Sequence, residues 1–468
     1  MGNRNMNSTK DRKHIPGPRS LFGRYMNLLR FYRNPFTYSR WLHDEYGKIV
    51  ALGQEDNPSY VFAFGSEYNQ QILTDPDLFQ ISSSLLKIPE ESILGKMFYN
   101  NLILMTGEKH KKHRRLMQPA FHRQQIASYC SDMVQLTHQL GDHWETKGQI
   151  ELNHEMKKLT QRIAVKTLFG LYNEEELDEM GGYIHKMTKS MLWVTLAPIN
   201  IPGTPYYQAV QCTRQLDTKI RAMITRKQSE ANATDVLASL IQARDEDGTQ
   251  LSDEELVGHA FTLYVAGHET TANALTWSIF LLSQHPDILK NLLEELDGIL
   301  NGSDPSLENL SSLSLLDGVI KESLRLLPPA GIGVRITSKS CELGGYMIPK
   351  GTNIFFNQMI THRLPDLYEE PDRFKPERWD SIKRSPYEYL PFSAGQHMCI
   401  GWNFATQEMK VVLAILLQRF RFAVIPGSKI SPNMMMRPIH GMPMKLVPQD
   451  GQFHKVSVRG TINLYIDL

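Results

Sequence analysis

Cys399 stands in the run Pro391-Phe392-Ser393-Ala394-Gly395-Gln396-His397-Met398-Cys399-Ile400-Gly401, a setting that suits a buried thiolate acting as a metal ligand. From Ile400 to Phe420 apolar residues recur at helical spacing with few breakers, which predicts a helix beginning directly after the cysteine. The unpaired amides and positive dipole end of such a helix favour negative charge, so the thiol is expected to ionise more readily than a free one. Gly395 and Gly401 leave room for a bulky flat ligand near the backbone, while Phe392 and Met398 can shield the sulfur from water. A thiolate with one open face suits an iron centre. An arbitrary cysteine ahead of a helix is more often a small buried hydrophobe, and it is the glycine spacing and His397 that argue otherwise here.

A second chemistry-bearing run, Ala266-Gly267-His268-Glu269-Thr270-Thr271, lies inside a long apolar segment that opens with the capping-box pattern Ser252-Asp253-Glu254-Glu255. A glycine, an acid and two β-branched hydroxyl residues all work against a buried helix. Thr270 can turn its hydroxyl to the carbonyl of Ala266 and bend the helix, and Gly267 removes bulk, so a groove opens where a small ligand such as O2 can lodge. Glu269 and Thr270 then form a proton-delivery pair. The competing reading is a kinked core helix with a satisfied hydroxyl.

Glu322 and Arg325 are spaced to share a helical face, and Arg378 follows in an aromatic-flanked stretch, so the three are expected to form a buried structural network. The basic run Gly107 to Phe121 places His110 and Arg114 on one face and points Lys111, Lys112 and Arg115 elsewhere. One face can clamp anionic carboxylates inside, and the other can meet an acidic protein or nucleic acid. His110 and His113 lack a third ligand at zinc spacing.

The elements that must hold these groups follow from the rest of the 468 residues. Hydrophobic content of 41%, charged content of 22% and a formal net charge of +1 are those of an ordinary globular protein and give no global argument for nucleic acid or membrane. Cys130, Cys212, Cys341 and Cys399 show no CxxC spacing, so neither a disulfide framework nor structural zinc is expected, and a reducing, cytoplasmic setting fits. No stretch supplies the ~20 apolar residues of a membrane span. Lys48 to Gly53 and Tyr60 to Phe64 read as a strand pair, helical periodicity dominates from about Ser66 to Arg325, and short strands return before Gly395. The expected fold class is mainly α with a small β-rich region. One catalytic domain is expected over 1–468, with a polar segment at 1–20 and a C-terminal extension at 449–468 that can add a strand.

These motifs, in this order over nearly the whole chain, resemble the cytochrome P-450 superfamily of haem-thiolate monooxygenases, of the soluble bacterial type. The resemblance implies haem b between a long distal helix and the helix after the cysteine loop, with Cys399 as proximal iron ligand. Ala266, Phe392 and Gly401 would also contact the haem, and Glu269 and Thr270 would relay protons. It carries Glu322, Arg325 and Arg378 over as the family's salt-bridge triad, and His110, Arg114, Arg335 and His397 as propionate partners. His110 stands where Trp is more usual and His397 where Arg is, and both keep a hydrogen-bond donor. Pocket positions by the same correspondence are Leu85, Leu86, Phe98, Phe261, Val265, Ala266, Ala330, Gly331, Ile332, Met435 and Met436. Their apolar character implies a lipophilic terpenoid, steroid, fatty acid or polyketide, hydroxylated or epoxidised with O2. Two electrons would come from NAD(P)H through a separate ferredoxin or flavodoxin with its reductase, docking on the Lys111, Lys112 and Arg115 side of a monomer. A haem-thiolate peroxygenase or isomerase is the alternative enzyme class, and a non-enzymatic basic binding module the alternative outside it.

Overall fold

The computed structural model describes residues 14–18, 23–53, 58–81, 88–170, 175–176, 179–184, 186–187, 190, 199–230 and 234–468. Helices α1 (Gly23–Arg33) and α2 (Pro35–Tyr46) lead into strands β1 (Ile49–Gly53) and β2 (Pro58–Ala63), which pair antiparallel, the strand pair expected from the sequence. After α3 (Ser66–Thr74) and β3 (Phe79–Ile81) the chain turns helical: α4 (Ile93–Tyr99), α5 (Gly107–Met117), α6 (Arg123–Trp144), then β4 (Gln149–Glu151) and α7 (Leu152–Phe169). Next come α8 (Pro205–Ser229), α9 (Val236–Gln242), α10 (Asp253–Gln284), α11 (Pro286–Leu300), α12 (Leu307–Ser311) and α13 (Ser314–Leu326). The β-rich return holds β5 (Ile332–Thr337), the hairpin β6 (Cys341–Leu343) and β7 (Tyr346–Ile348), and β8 (Asn353–Asn357), followed by the one-turn α14 (Gln358–Thr361). Last come α15 (Trp402–Arg419), β9 (Phe420–Val424) and β10 (Pro443–Pro448).

The larger sheet has the order β1-β2-β8-β5-β3, with β2 and β8 parallel and the other neighbours antiparallel. Its inner face carries Val50, Leu52, Phe62 and Phe355, and the Phe62 and Phe355 rings stack 4.9 Å apart. This register pairs Ile332 with Asn357 and Ile81 with Arg335, which sets the chain entering β5 and the arginine at its far end.

At the centre lies α10, 32 residues and about 48 Å long. Its capping box forms as read: the Ser252 hydroxyl accepts from the Glu255 amide at 3.3 Å and the Glu255 carboxylate accepts from the Ser252 amide at 3.1 Å. From Thr271 to Gln284 every residue is buried, so this half is fixed against α7, α13 and α15 by packing on all sides. No helix among the described residues is long and apolar enough to cross a membrane.

The network around Glu322 forms at the base of α13. Arg325 grips the carboxylate through two bonds of 2.8 and 2.9 Å, Arg378 adds one of 2.9 Å and the Trp379 indole one of 3.0 Å. Arg325 also donates at 2.7 Å to the carbonyls of both His362 and Pro371. Glu322 and Arg325 are fully buried, so these bonds tie α13 to the irregular chain leading to the cysteine loop.

Residues 449–468 add no strand to a sheet; they make the isolated bridges Lys429 to Arg459 and Arg373 to Asp467 and a short 3-10 turn at Thr461–Leu464. The segment is held by side chains instead. Ile462 is fully buried, and the Tyr465 ring stacks on Phe36 at 4.4 Å while its carbonyl accepts from Arg363 at 3.0 Å.

Two stability predictions follow from this packing. Tyr465→Ala should lower unfolding free energy by about 3 kcal/mol in denaturant titration. Glu322→Ala, which strands two buried guanidinium groups, should lose about 3–5 kcal/mol or fail to accumulate as folded protein.

Candidate functional site

A cavity of about 410 Å³ lies between the middle of α10 and the loop before α15. Its walls include Ala266, Gly267, Thr270 and Thr271 on one side, and Phe392, His397, Cys399 and Gly401 on the other. Ala330, Ile332 and Arg335 close a third side from the start of the sheet. Cys399 retains exposed surface although protein surrounds it, because its side chain borders this internal space.

The loop that presents the cysteine is set by backbone constraints. The Cys399 amide donates to Phe392 at 2.9 Å and the Met398 amide to Gly395 at 3.1 Å. Gly395 has φ +69°, and a Cβ there would stand 2.2 Å from the Leu73 carbonyl. Gly395 is thus required by its contact with α3, not by room for a ligand. Gly401 does leave open space, since a Cβ there would meet nothing nearer than Phe121 at 3.9 Å. The helix begins at Trp402 with Gly401 as its cap, later than the apolar pattern suggested.

The expected easy ionisation of Cys399 is overturned. Burial raises its pKa above the ordinary thiol value, and the Gly401 amide and the Arg114 charge offset only part of that rise. With the helix beginning beyond Gly401, its dipole does not outweigh desolvation. A cation bound at the sulfur would favour the thiolate directly.

Across the cavity the Thr270 hydroxyl donates to the Ala266 carbonyl at 2.8 Å, the bond read from the sequence. The Thr271 hydroxyl donates to the Gly267 carbonyl at 3.2 Å, and the Thr160 hydroxyl of α7 to the His268 carbonyl at 2.9 Å. Three consecutive carbonyls therefore receive side-chain hydroxyls. A Cβ added at Gly267 would meet nothing nearer than Leu168 at 4.0 Å, so the space left by this glycine belongs to the cavity. Glu269 is not on the cavity wall. Its carboxylate pairs with Lys157 of α7 at 2.8 Å, and although burial alone would raise its pKa, the Lys157 bond and charge hold it below the usual value. Thr270 and Glu269 thus face different partners.

His110, Arg114, Arg335 and His397 all reach the cavity wall. The His110 and His397 rings lie 4.0 Å apart, His110 is 3.1 Å from the Gln396 amide, and Arg114 donates to the Met398 carbonyl at 2.7 Å. Arg335 is buried, donates to its neighbour's carbonyl at 2.9 Å, and is pulled down to about 10 by burial. Burial likewise brings His110 to about 4 and His397 to about 3. No carboxylate among the described residues pairs with Arg114 or Arg335. A buried guanidinium without an anion is unfavourable, so this end of the cavity fits a flat ligand bearing carboxylates. Thiol, open glycine groove and unanswered cations together match haem.

The other anticipated pocket residues divide. Ala330 and Ile332 are on the wall, and Leu85 and Leu86 lie outside the described residues. Phe98 and Phe261 pack edge to face at 5.4 Å, and neither they nor Val265 and Gly331 reach the wall. Met435 and Met436 are displaced as well: Met435 is exposed, Met436 is buried, and their carbonyls accept from Asn273 and from the Trp277 indole of α10. The loop docks on α10 through these two carbonyls together with the buried Met436 side chain. The sequence reading missed His259, a wall residue seven positions before Ala266 and thus on the same helical face.

The basic run forms α5 as expected, yet its outward cations are answered. Lys109 meets Glu255 at 3.3 Å, Lys111 meets Glu108 at 2.7 Å, Lys112 meets Asp245 at 3.4 Å and Arg115 meets Glu246 at 2.8 Å. A stripe neutralised residue by residue lacks the field that a nucleic-acid binding module needs.

Known proteins resemble most of the chain. The sequence profile described as Cytochrome P450 matches residues 15–447. A cyclooctat-9-en-7-ol 5-monooxygenase of Streptomyces melanosporofaciens is 34% identical, covering 89% of this chain and 90% of that protein. A pentalenene oxygenase of Streptomyces avermitilis is 32% identical over 86% of this chain and 90% of its own. Among solved structures, a retinoic acid-bound cyanobacterial CYP120A1 superposes with a TM-score of 0.79 at 28% identity, covering 90% of this chain and 96% of that one. The family match spans the thiol loop, the long central helix and the Glu322 network, and the chain belongs to the cytochrome P450 family.

Proposed function

We propose that this P450 monooxygenase inserts oxygen from O2 into a terpenoid. The observation that carries the reading is the cavity itself, which is mostly hydrocarbon-walled, meets a thiol at one side and offers only a few polar groups along α10. The relatives named for cyclooctat-9-en-7-ol and pentalenene support it, as does the neighbour solved with retinoic acid.

In this reading Cys399 would hold the haem b iron through Sγ, and Arg114, Arg335, His110 and His397 would bind the propionates. When bound, the haem supplies the oxidising power for O2 chemistry, strengthened by thiolate donation. The protein's own residues do the rest. The apolar wall from Leu168 to Ile332 excludes water and orients the substrate. Thr270 presents a hydroxyl whose proton already rests on the Ala266 carbonyl, so its oxygen can accept a hydrogen bond from the groove. Glu269, tied to Lys157, keeps its charge and takes part in proton supply only when that pair opens.

Electrons come from NAD(P)H by way of a ferredoxin or flavodoxin and its reductase. The neutralised Lys111, Lys112 and Arg115 surface is a poor docking site. A pocket of about 220 Å³ edged by Gln118, His122, Arg123 and Trp402 also touches Cys399, which favours it as the electron entry. The four cysteines are unpaired, in keeping with a cytoplasmic location.

The test is turnover of the purified holoenzyme with a redox-partner system and isotopically labelled O2. Its panel holds cyclic terpenoids, steroids, fatty acids and polyketides. The expected result is a hydroxylated or epoxidised terpenoid carrying label from O2. Turnover confined to the other classes, or label arriving only from peroxide, would contradict the assignment.

A further inference from the structure

We propose that the Thr262 hydroxyl anchors an oxygen already present on the substrate, holding that end of the molecule about 12 Å along α10 from Thr270. The inference rests on the terpenoid reading above and narrows it to oxygenated terpenoids.

The serine and threonine side chains of α10 divide sharply. Thr270, Thr271, Thr276, Ser278 and Ser283 each donate to a carbonyl three or four residues back, at 2.6 to 3.2 Å. These hydroxyls are satisfied by their own helix. Thr262 is the exception. The carbonyl of Gly258 stands four residues back, yet the Thr262 hydroxyl makes no hydrogen bond among the described residues. Nor is its oxygen among the enclosed atoms that lack a partner, so this free hydroxyl keeps accessible surface.

That surface opens on the cavity. Residues 262, 263, 266, 267 and 270 all line it, the spacing of a single helical face, and Thr262 is only partly buried. The residues from Gly258 to Phe261 are buried, which closes the helix on the side before Thr262, while wall residues Leu263 and Ala266 flank it on the other. His259, one turn back, is fully enclosed, so Thr262 is the accessible polar group at this end of the α10 stripe. The chain after α4 crosses close by: a Cβ on Gly258 would stand 2.1 Å from the Asn100 carbonyl, and Leu102 and Ile103 just beyond it belong to the wall. One hydroxyl is thus set in hydrocarbon surroundings.

A hydrocarbon filling the cavity would strip water from that hydroxyl and give nothing in return. A substrate oxygen at the same place completes the bond, and because a hydroxyl both donates and accepts, an alcohol or a carbonyl group serves. Apolar contacts hold the skeleton, and the single polar contact sets which end points away from Thr270. A reaction that installs oxygen at one end of the terpenoid must therefore precede this one.

Calorimetry on the purified holoprotein tests the anchor with cyclooctat-9-en-7-ol and geranylgeraniol, each beside the hydrocarbon lacking its hydroxyl. Wild-type protein should bind the alcohol of a pair about tenfold more tightly. Thr262→Val keeps the shape of the side chain and should bring the ratio near one while hydrocarbon affinity holds, which also shows that the variant is folded. Thr262→Ser restores a hydroxyl and should restore the preference. A wild-type ratio near one, or a preference that survives in Thr262→Val, would overturn the anchor and leave the terpenoid reading standing. A preference lost equally in Thr262→Ser would assign it to packing of the methyl group and overturn the anchor as well. Binding of no member of either pair would overturn both readings.

Discussion

The structure is organised around a thiol set in the wall of an interior cavity, where desolvation disfavours its anion. Cys399 borders this cavity, where burial raises its pKa against the opposing pull of one backbone amide and one arginine. Its ionisation is coupled to the arrival of a cation, which ties the electronic character of the sulfur to cofactor binding rather than to the fold alone. The same economy applies at the other edge of the cavity, where Arg114 and Arg335 await an anion that the described chain does not provide. One ligand that is cationic at its centre and anionic at its rim satisfies both.

Everything else keeps these uncompensated groups facing one another. The Glu322 network fixes the irregular chain that precedes the cysteine loop, and Gly395, pressed on the Leu73 carbonyl, locks the loop onto α3. The buried half of α10 anchors the opposite wall, so its less tightly packed middle can offer a groove where hydroxyls occupy successive carbonyls. Rigid packing at one end of a helix and open space at its centre are complementary, since a groove is useful only if its rims do not collapse.

What the sequence made legible was local. The capping box at Ser252, the Thr270 bond to Ala266, the shared face of Glu322 and Arg325 and the first strand pair all join residues close along the chain or follow a fixed period. What it hid depends on distant partners. Lys157 lies 112 residues from Glu269, so nothing in the acid-threonine pair announces that the acid turns toward α7. Glu246 is 131 residues beyond Arg115, and a run of basic residues reads as a patch until such partners are seen. The family correspondence put Met435 and Met436 on the pocket, whereas the carbonyls of both accept from α10 side chains outside it. His259 was hidden for a related reason, being one polar residue in an apolar stretch whose hydrogen-bond partner, His113, lies 146 positions earlier.

The most direct test of a thiol that becomes a ligand only with its cofactor is the absorption spectrum of the purified protein, reduced and exposed to carbon monoxide, beside that of Cys399→Ser. The account predicts a strongly red-shifted Soret band in the wild type, lost in the variant even where haem is retained. A wild-type spectrum without that shift after haem supplementation, or a variant that keeps it, would contradict the assignment of Cys399.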